Sequence, residues 1–208
     1  MTRQIDQPDA LARAVGLAGR RSILGITGPP GAGKSTYAKS LTDTLRAKGY
    51  AVALVPMDGF HLAQAALDDL GLAPVKGAPE TFDAAGYAAL LRRLREPAGE
   101  TVWAPAFDRE LEEPIAASIP VGPEIGLIVT EGNYLLHDQG PWATVRPLLD
   151  ECWYLDLDHT ERRRRLEARH LRYGKSSAEA RAKTLGSDEA NAHLIATTLP
   201  RADAVLTL

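Results

Sequence analysis

Residues Gly28-Pro29-Pro30-Gly31-Ala32-Gly33-Lys34-Ser35 spell the phosphate-binding pattern G-x-x-x-x-G-K-[ST], and Thr36 follows directly. The pattern constrains the fold because it carries a mechanism. Glycines let successive backbone N–H groups curl around a phosphate, and the lysine sets a cation against the β- and γ-oxygens. The hydroxyl at the start of the next helix reaches Mg2+. The flanks agree. Ser22-Ile23-Leu24-Gly25-Ile26-Thr27 reads as a buried strand entering the loop, while Tyr37, Ala38, Leu41 and Leu45 recur at helical spacing up to Gly49. A surface turn rich in glycine and proline would satisfy the loop but not the strand and helix around it. The chain is therefore expected to bind ATP and Mg2+. Gly28 to Thr36 form the cradle, Ser35 lies on the metal, and Lys34 is an exposed loop cation on the phosphates.

Bulk properties exclude several function classes. The 208 residues suit one domain, 1–208, with a mobile lid near 160–185. The net charge of −3 gives no general pull toward nucleic acid or membrane. No stretch approaches a membrane span, and the N-terminus lacks the apolar core of a secretory signal. Cys152 is the single cysteine, which rules out an intramolecular disulfide and fits a reducing cytoplasm. Its neighbours Trp153, Tyr154 and Leu155 mark it as a core thiol on a strand. A homodimer is compatible with these features.

Strand and helix signals alternate along the chain. Strands are predicted at Tyr50–Met57, Thr101–Ala104, Ile125–Thr130, Cys152–Leu157 and Ala204–Leu208. Helices are predicted at Pro8–Leu17, Ala84–Arg95, 142–149, 160–172, 177–185 and 188–198. Pro105 to Pro123, rich in prolines and acids, reads as a loop or irregular hairpin. The pattern implies an α/β fold of the P-loop NTPase type: three layers, α/β/α, with a mostly parallel sheet and a small Arg-rich lid. Ligands in such folds lie at the carboxyl ends of the strands.

Asp58 closes the second strand and Glu131 the third. Carboxylates there lie beside the phosphate loop, where one can hold Mg2+ and another can accept a proton from an attacking hydroxyl. Asp58-Gly59 is also ordinary turn chemistry. Asp156 and Asp158 end the fourth strand, and Asp158 can equally cap the next helix. Further on, Arg162, Arg165, Arg169 and Arg172 share one helical stripe, with Leu166 and Leu171 pointing elsewhere. This is either a solvated face paired with glutamates, a nucleic-acid patch, or a lid; the acidic balance and missing aromatics weigh against the patch. As a lid, Arg165 or Arg169 would close over the triphosphate. His61, three residues past Asp58, either meets the acceptor or is structural, and His137 is expected at the surface. Trp103, Trp142 and Trp153 read as packing residues, although Phe60, Trp103 and Phe107 together would make an apolar wall for the acceptor.

These motifs carry a resemblance. The chain resembles the superfamily of phosphoribulokinase, uridine kinase and bacterial type I pantothenate kinase through the phosphate loop and Asp58-Gly59-Phe60. Lys76-Gly77-Ala78-Pro79-Glu80-Thr81-Phe82-Asp83 and Ala104-Pro105-Ala106-Phe107-Asp108 extend it, and Glu131-Gly132-Asn133-Tyr134-Leu135-Leu136 and the arginine run complete it. It covers about Ile23 to Asp203, and within the superfamily it is most similar to proteins described as fructose-transport-system kinases. The resemblance implies Asp58 as catalytic base and Glu131 near metal and acceptor. It also implies Lys76–Asp83 and Phe107-Asp108-Arg109 as acceptor-pocket segments, and places Asn191 and Arg201 in a stretch with acceptor and nucleotide contacts. Two departures matter. Uridine kinases carry a tyrosine where Phe107 stands, and the longer C-terminal extensions of pantothenate kinases are missing.

The expected activity is transfer of the γ-phosphoryl of ATP to a small-molecule hydroxyl, with a sugar such as fructose as acceptor and a nucleoside or pantothenate-like compound as the alternative. The catalytic set is Lys34, Asp58, Arg165 and Arg169; the acceptor set is Asp58, His61, Phe107, Arg109, Glu131 and Asn191. A triphosphatase switch and a nucleotide-binding regulatory sensor are rivals from other classes.

Overall fold

The computed structural model describes residues 3–96 and 99–207. Its elements in chain order are β1 (Arg3–Ile5), α1 (Gln7–Leu17), β2 (Ser22–Thr27), α2 (Lys34–Ala47), β3 (Val52–Pro56), α3 (Gln64–Asp69) and α4 (Ala84–Arg95). There follow β4 (Val102–Asp108), β5 (Glu113–Val121), β6 (Leu127–Glu131), β7 (Glu151–Asp156), α5 (His159–Arg172), α6 (Ser177–Leu185), α7 (Ser187–Ala196) and β8 (Ala204–Thr207).

Six strands form one sheet in the order β1-β8-β7-β2-β6-β3, and every pairing in it is parallel. Buried strands of such a sheet carry apolar side chains to both faces, which explains the continuous apolar run of β2. Ile23 and Ile128 point to a core under Tyr87, Leu91 and Leu94 of α4. Leu24, Ile26, Leu127 and Val129 point the other way, to Leu41 and Leu45 of α2 and Ala10 and Ala14 of α1. The result is three layers, α/β/α, as expected. Cys152 is fully buried in the first core, and burial pushes its thiol well above the usual range. It is a packing residue.

The strands and most helices fall within a few residues of their predicted bounds. The predicted helix over 142–149 is instead two 3-10 turns, Gly140–Thr144 and Arg146–Leu148. Pro141 and Pro147 donate no N–H, so an α-helical ladder cannot run through the segment. Pro105 to Pro123 is an antiparallel hairpin, β4 with β5, whose register shifts between Ala104 and Ala106 around Pro105. The short β1 and α3 carry too few residues to show a period. Leu208, last of the predicted terminal strand, lies outside the described residues. Among the described residues no helix is long and apolar enough to cross a membrane.

Candidate active site

Topology brings the two strand-end carboxylates together. β6 lies between β2 and β3, so Glu131 is in register with Ile26 on one side and Pro56 on the other. The phosphate loop leaves the end of β2, and the 3-10 turn Met57–Phe60 carrying Asp58 leaves the end of β3. Two glycines make this arrangement possible. Gly31 has φ +84°, and a Cβ there would stand 2.8 Å from the Arg162 carbonyl of α5. Gly59 admits the hairpin, since a Cβ on it would meet the Pro105 carbonyl at 2.5 Å. That close approach sets Arg109, at the hairpin tip, into an ion pair with Asp58.

Lys34 differs from expectation. It is the first residue of α2 and only 8% exposed, with Nζ donating to the Pro29 carbonyl at 3.1 Å. The loop folds over its side chain, so the cation is held inside the cradle. Burial lowers its pKa to about 8, against the opposing pull of Glu131 and Asp58. Glu131 shows the mirror effect. Burial, reinforced by Asp58, raises its carboxyl to about 7, while Lys34 and a hydrogen bond from Ser35 favour its ionised form. Exposed Ser35 and buried Glu131 thus present a hydroxyl and a carboxylate to one point beside the cradle. This all-oxygen set suits a hard cation such as Mg2+, which takes few protein ligands and completes its shell with phosphate oxygens and water.

A cavity of about 600 Å³ opens on this point. Lys34, Ser35, Asp58, His61, Phe107, Arg109, Glu131, Arg169 and Asn191 all line it, so it gathers the expected acceptor set of Asp58, His61, Phe107, Arg109, Glu131 and Asn191. A second cavity of about 370 Å³ adjoins it and is lined by Gly31, Gly33, Lys34, Ser35, Thr36, Arg165 and Arg169. Pro30 borders the first cavity. Gly28, Pro29 and Ala32 are buried in the loop and line neither. His61 donates from Nδ1 to the Asp58 carbonyl at 2.9 Å, and its ring packs between Phe82 and Phe107. It is structural and cavity-lining at once, and burial lowers its pKa. Asn191 donates to the Gly77 carbonyl at 3.2 Å, which joins α7 to the Lys76–Asp83 segment.

Other predicted placements change. Arg162 is fully buried, donating to the Pro30 carbonyl at 3.3 Å and pairing with Glu189 of α7, so it anchors α5 and does not face the cleft. Leu166 is buried beside it and Arg172 lines neither cavity. Arg165 pairs with Glu161 at 2.8 Å and borders the smaller cavity, whereas Arg169 borders both. Asp158 caps α5 through the N–H groups of Thr160 and Glu161. Arg201 pairs with Asp138 at 2.6 Å, away from both cavities. His137 is 9% exposed, packed near Tyr134, and not at the surface. Trp103 is 53% exposed and Phe60 packs on Tyr87, so the expected apolar wall reduces to Phe107 with Phe82. The cavity also takes in His170, Tyr173, Lys175, Lys183 and Asp188, which carried no recognisable motif. The contact of His170 with Asp188, 2.7 Å from Nε2 to Oδ2, bridges α5 and α7.

Comparison with known proteins agrees with this geometry. A family model described as methylmalonyl Co-A mutase-associated GTPase MeaB matches residues 2–62, the part holding the phosphate loop and Asp58. The "Putative uridine kinase C227.14" of Schizosaccharomyces pombe is 33% identical over 88% of this chain and 83% of its own length. A crystal structure from Silicibacter sp. TM1040, described as a "putative fructose transport system kinase", is 38% identical with a TM-score of 0.84, covering 96% of this chain and 97% of that one. YFH7 of Saccharomyces cerevisiae, 18% identical with a TM-score of 0.82 over 98% of this chain and 99% of that one, shares the fold. The chain belongs to the P-loop kinase superfamily of phosphoribulokinase, uridine kinase and type I pantothenate kinase.

Proposed function

We propose that the protein is an ATP- and Mg2+-dependent kinase that transfers the γ-phosphoryl group to a hydroxyl of a small molecule, a sugar such as fructose being the acceptor. The observation that carries this reading is the placing of two carboxylates, Asp58 and Glu131, on adjacent strand ends opposite Lys34 around one cavity. A hydrolase needs a single water positioned there; a cavity of about 600 Å³ that reaches from Lys34 and Ser35 past both carboxylates to Phe107 and Asn191 leaves room for an acceptor beside the phosphates. The description of the Silicibacter protein supports a sugar.

In this reading the loop amides and Lys34 hold the phosphates, and Ser35 with Glu131 holds the metal. Mg2+ bound there neutralises charge on the β- and γ-phosphates. Asp58 exchanges its Arg109 partner for the acceptor hydroxyl. The hydroxyl oxygen attacks the γ-phosphorus, the bond to the β–γ bridging oxygen breaks, ADP leaves, and Asp58 takes the proton. Arg109, freed from Asp58, and Arg169 then meet the transferring group. The segment from α5 to α6 acts as the lid. Charge stabilisation by such preorganised cations is the main resource in phosphoryl transfer.

The test is incubation with γ-labelled ATP and hexoses, pentoses, nucleosides and pantothenate. Label in an organic product supports the kinase. Label released only as inorganic phosphate, at a rate no acceptor changes, rejects it in favour of the hydrolase that the match over residues 2–62 would suggest.

A further inference from the structure

Part of the larger cavity is lined by cations that the smaller one lacks. Lys76, Lys175 and Lys183 line the larger cavity but not the smaller one that runs along the phosphate loop. They come from separate parts of the chain: the segment before α4, the turn after α5, and α6. The ammonium of Lys76 donates to the Gln64 side chain at 3.1 Å and to the Glu112 carbonyl at 2.9 Å. Among the described residues none of the three lysines takes part in an ion pair. Three carboxylates line the cavity beside the catalytic pair: Asp188, engaged by His170, and Glu110 and Glu112 at the hairpin tip. The lysines also act on one another: the half-buried ammonium of Lys183 is disfavoured by its burial and by the charges of Lys175 and Lys76, against the opposing pull of Asp188 and Glu112. Gathering like charges around a cavity costs free energy that a bound anion offsets.

The aromatic side of the cavity points the same way. The Phe107 ring has His61 at 4.7 Å between centroids, the Lys76 ammonium at 5.8 Å and the Arg109 guanidinium at 5.1 Å. A ring so surrounded offers a base little to stack on, while the cations suit an acid group and hydroxyls.

We propose that Lys76, Lys175 and Lys183 form an anion-binding subsite and that the acceptor is a polyhydroxylated compound bearing an anionic group, a phosphate monoester or a carboxylate, at the end remote from the hydroxyl that is phosphorylated. This rests on the kinase reading above and moves its acceptor from a neutral sugar to an anionic derivative of one. The anion is held by the lysines while the reacting hydroxyl lies at Asp58, and the lid, which supplies two of the three lysines, is drawn down by the acceptor as well as by ATP.

The experiment compares matched acceptors with the full chain and MgATP: fructose, fructose 6-phosphate, and sugar acids of the same carbon number. Product is read as labelled phosphoester and nucleotide affinity by calorimetry. At least a tenfold higher kcat/KM for the phosphate or the acid than for the neutral sugar is expected. Whichever of the two works identifies the anion. Lys175→Gln, an exposed position, and Lys183→Met are each expected to raise KM for that acceptor about tenfold while the affinity for ADP stays within twofold. A neutral sugar turned over equally well, with both variants unaffected, overturns the anionic subsite and leaves the kinase standing. ATP hydrolysis without transfer to any acceptor overturns both.

Discussion

Lys34 and Glu131 face each other in the cradle with opposite displacements, and each is tuned toward neutrality by burial. The signs give a pH dependence. Below about 7 the Glu131 carboxyl holds a proton that competes with Mg2+, and above about 8 Lys34 loses the charge that the phosphates need. The kcat/KM for MgATP, which reports the free enzyme, is expected to rise through the first value and fall through the second. Glu131→Gln should remove the acidic limb, and it should move the alkaline limb lower, because the Glu131 charge raises the Lys34 value. A profile flat from pH 6 to 9 would contradict this pairing. Asp58 calls for a different measurement. Asp58→Asn keeps the shape but removes the proton acceptor, so turnover should fall by about 10²–10⁴, the range of general base catalysis, with nucleotide affinity little changed. Equal losses in both would recast Asp58 as a holder of the metal. The strand-end position of both carboxylates was legible from the chain, since each acid closes an apolar run. The burial of Lys34 was not, since only the closed loop shows that Pro29 folds back over the ammonium.

Helix α5 shows where periodicity stops being informative. Arg162, Arg165 and Arg169 share a stripe by spacing, yet one is buried, one is tied to Glu161 and one borders both cavities. The helix buries Arg162, Leu166 and His170 against the body while Arg165 and Arg169 border the cavities, a division set by tertiary contacts that spacing alone does not encode. The consequences separate cleanly. Arg169→Gln should lower kcat by about 10²–10³, the cost of removing one charge-stabilising group, with little change in thermal stability. Arg165→Gln should do less, because its guanidinium is exposed and already held by Glu161. Arg162→Met should leave the chemistry intact and destabilise the fold. Breaking a buried pair costs about 3–5 kcal/mol, and the lower end is expected because Glu189 retains Arg163 at 2.6 Å. Denaturant unfolding and steady-state kinetics on the three variants check this. Loss of turnover in Arg162→Met at full stability would assign that residue to the cleft after all. The hairpin β4–β5 was legible only as a loop or irregular hairpin, since Pro105, Pro114 and Pro120 obscure a strand signal that an exposed edge tolerates.

At the scale of the molecule, the parallel sheet follows from apolar runs separated by amphipathic helices, so its layers were legible before any coordinate. The full cavity was not. Lys76 lies about a hundred residues before Lys175 and Lys183 and no motif marks the three, so only the packing of α6, α7 and the hairpin around one opening makes them neighbours. Because the two cavities are lined from the loop, the turn after β3, β6, the hairpin and α5 through α7, binding should stabilise the whole fold and not one element. A ligand at 100 times its dissociation constant adds about 2.7 kcal/mol. For a chain of this length each kcal/mol moves the midpoint by about 2–4 °C, so saturating ADP with Mg2+ should raise Tm by about 5–11 °C. The shift should shrink when the metal is chelated, because phosphate then meets Lys34 without the cation between Ser35 and Glu131. In Glu131→Gln the shift should be the same with and without Mg2+, and in Lys34→Ala it should be nearly absent at the same nucleotide concentration. A wild-type shift that is indifferent to Mg2+ would detach Glu131 from the metal and leave its burial beside the phosphate loop to be explained by the acceptor alone.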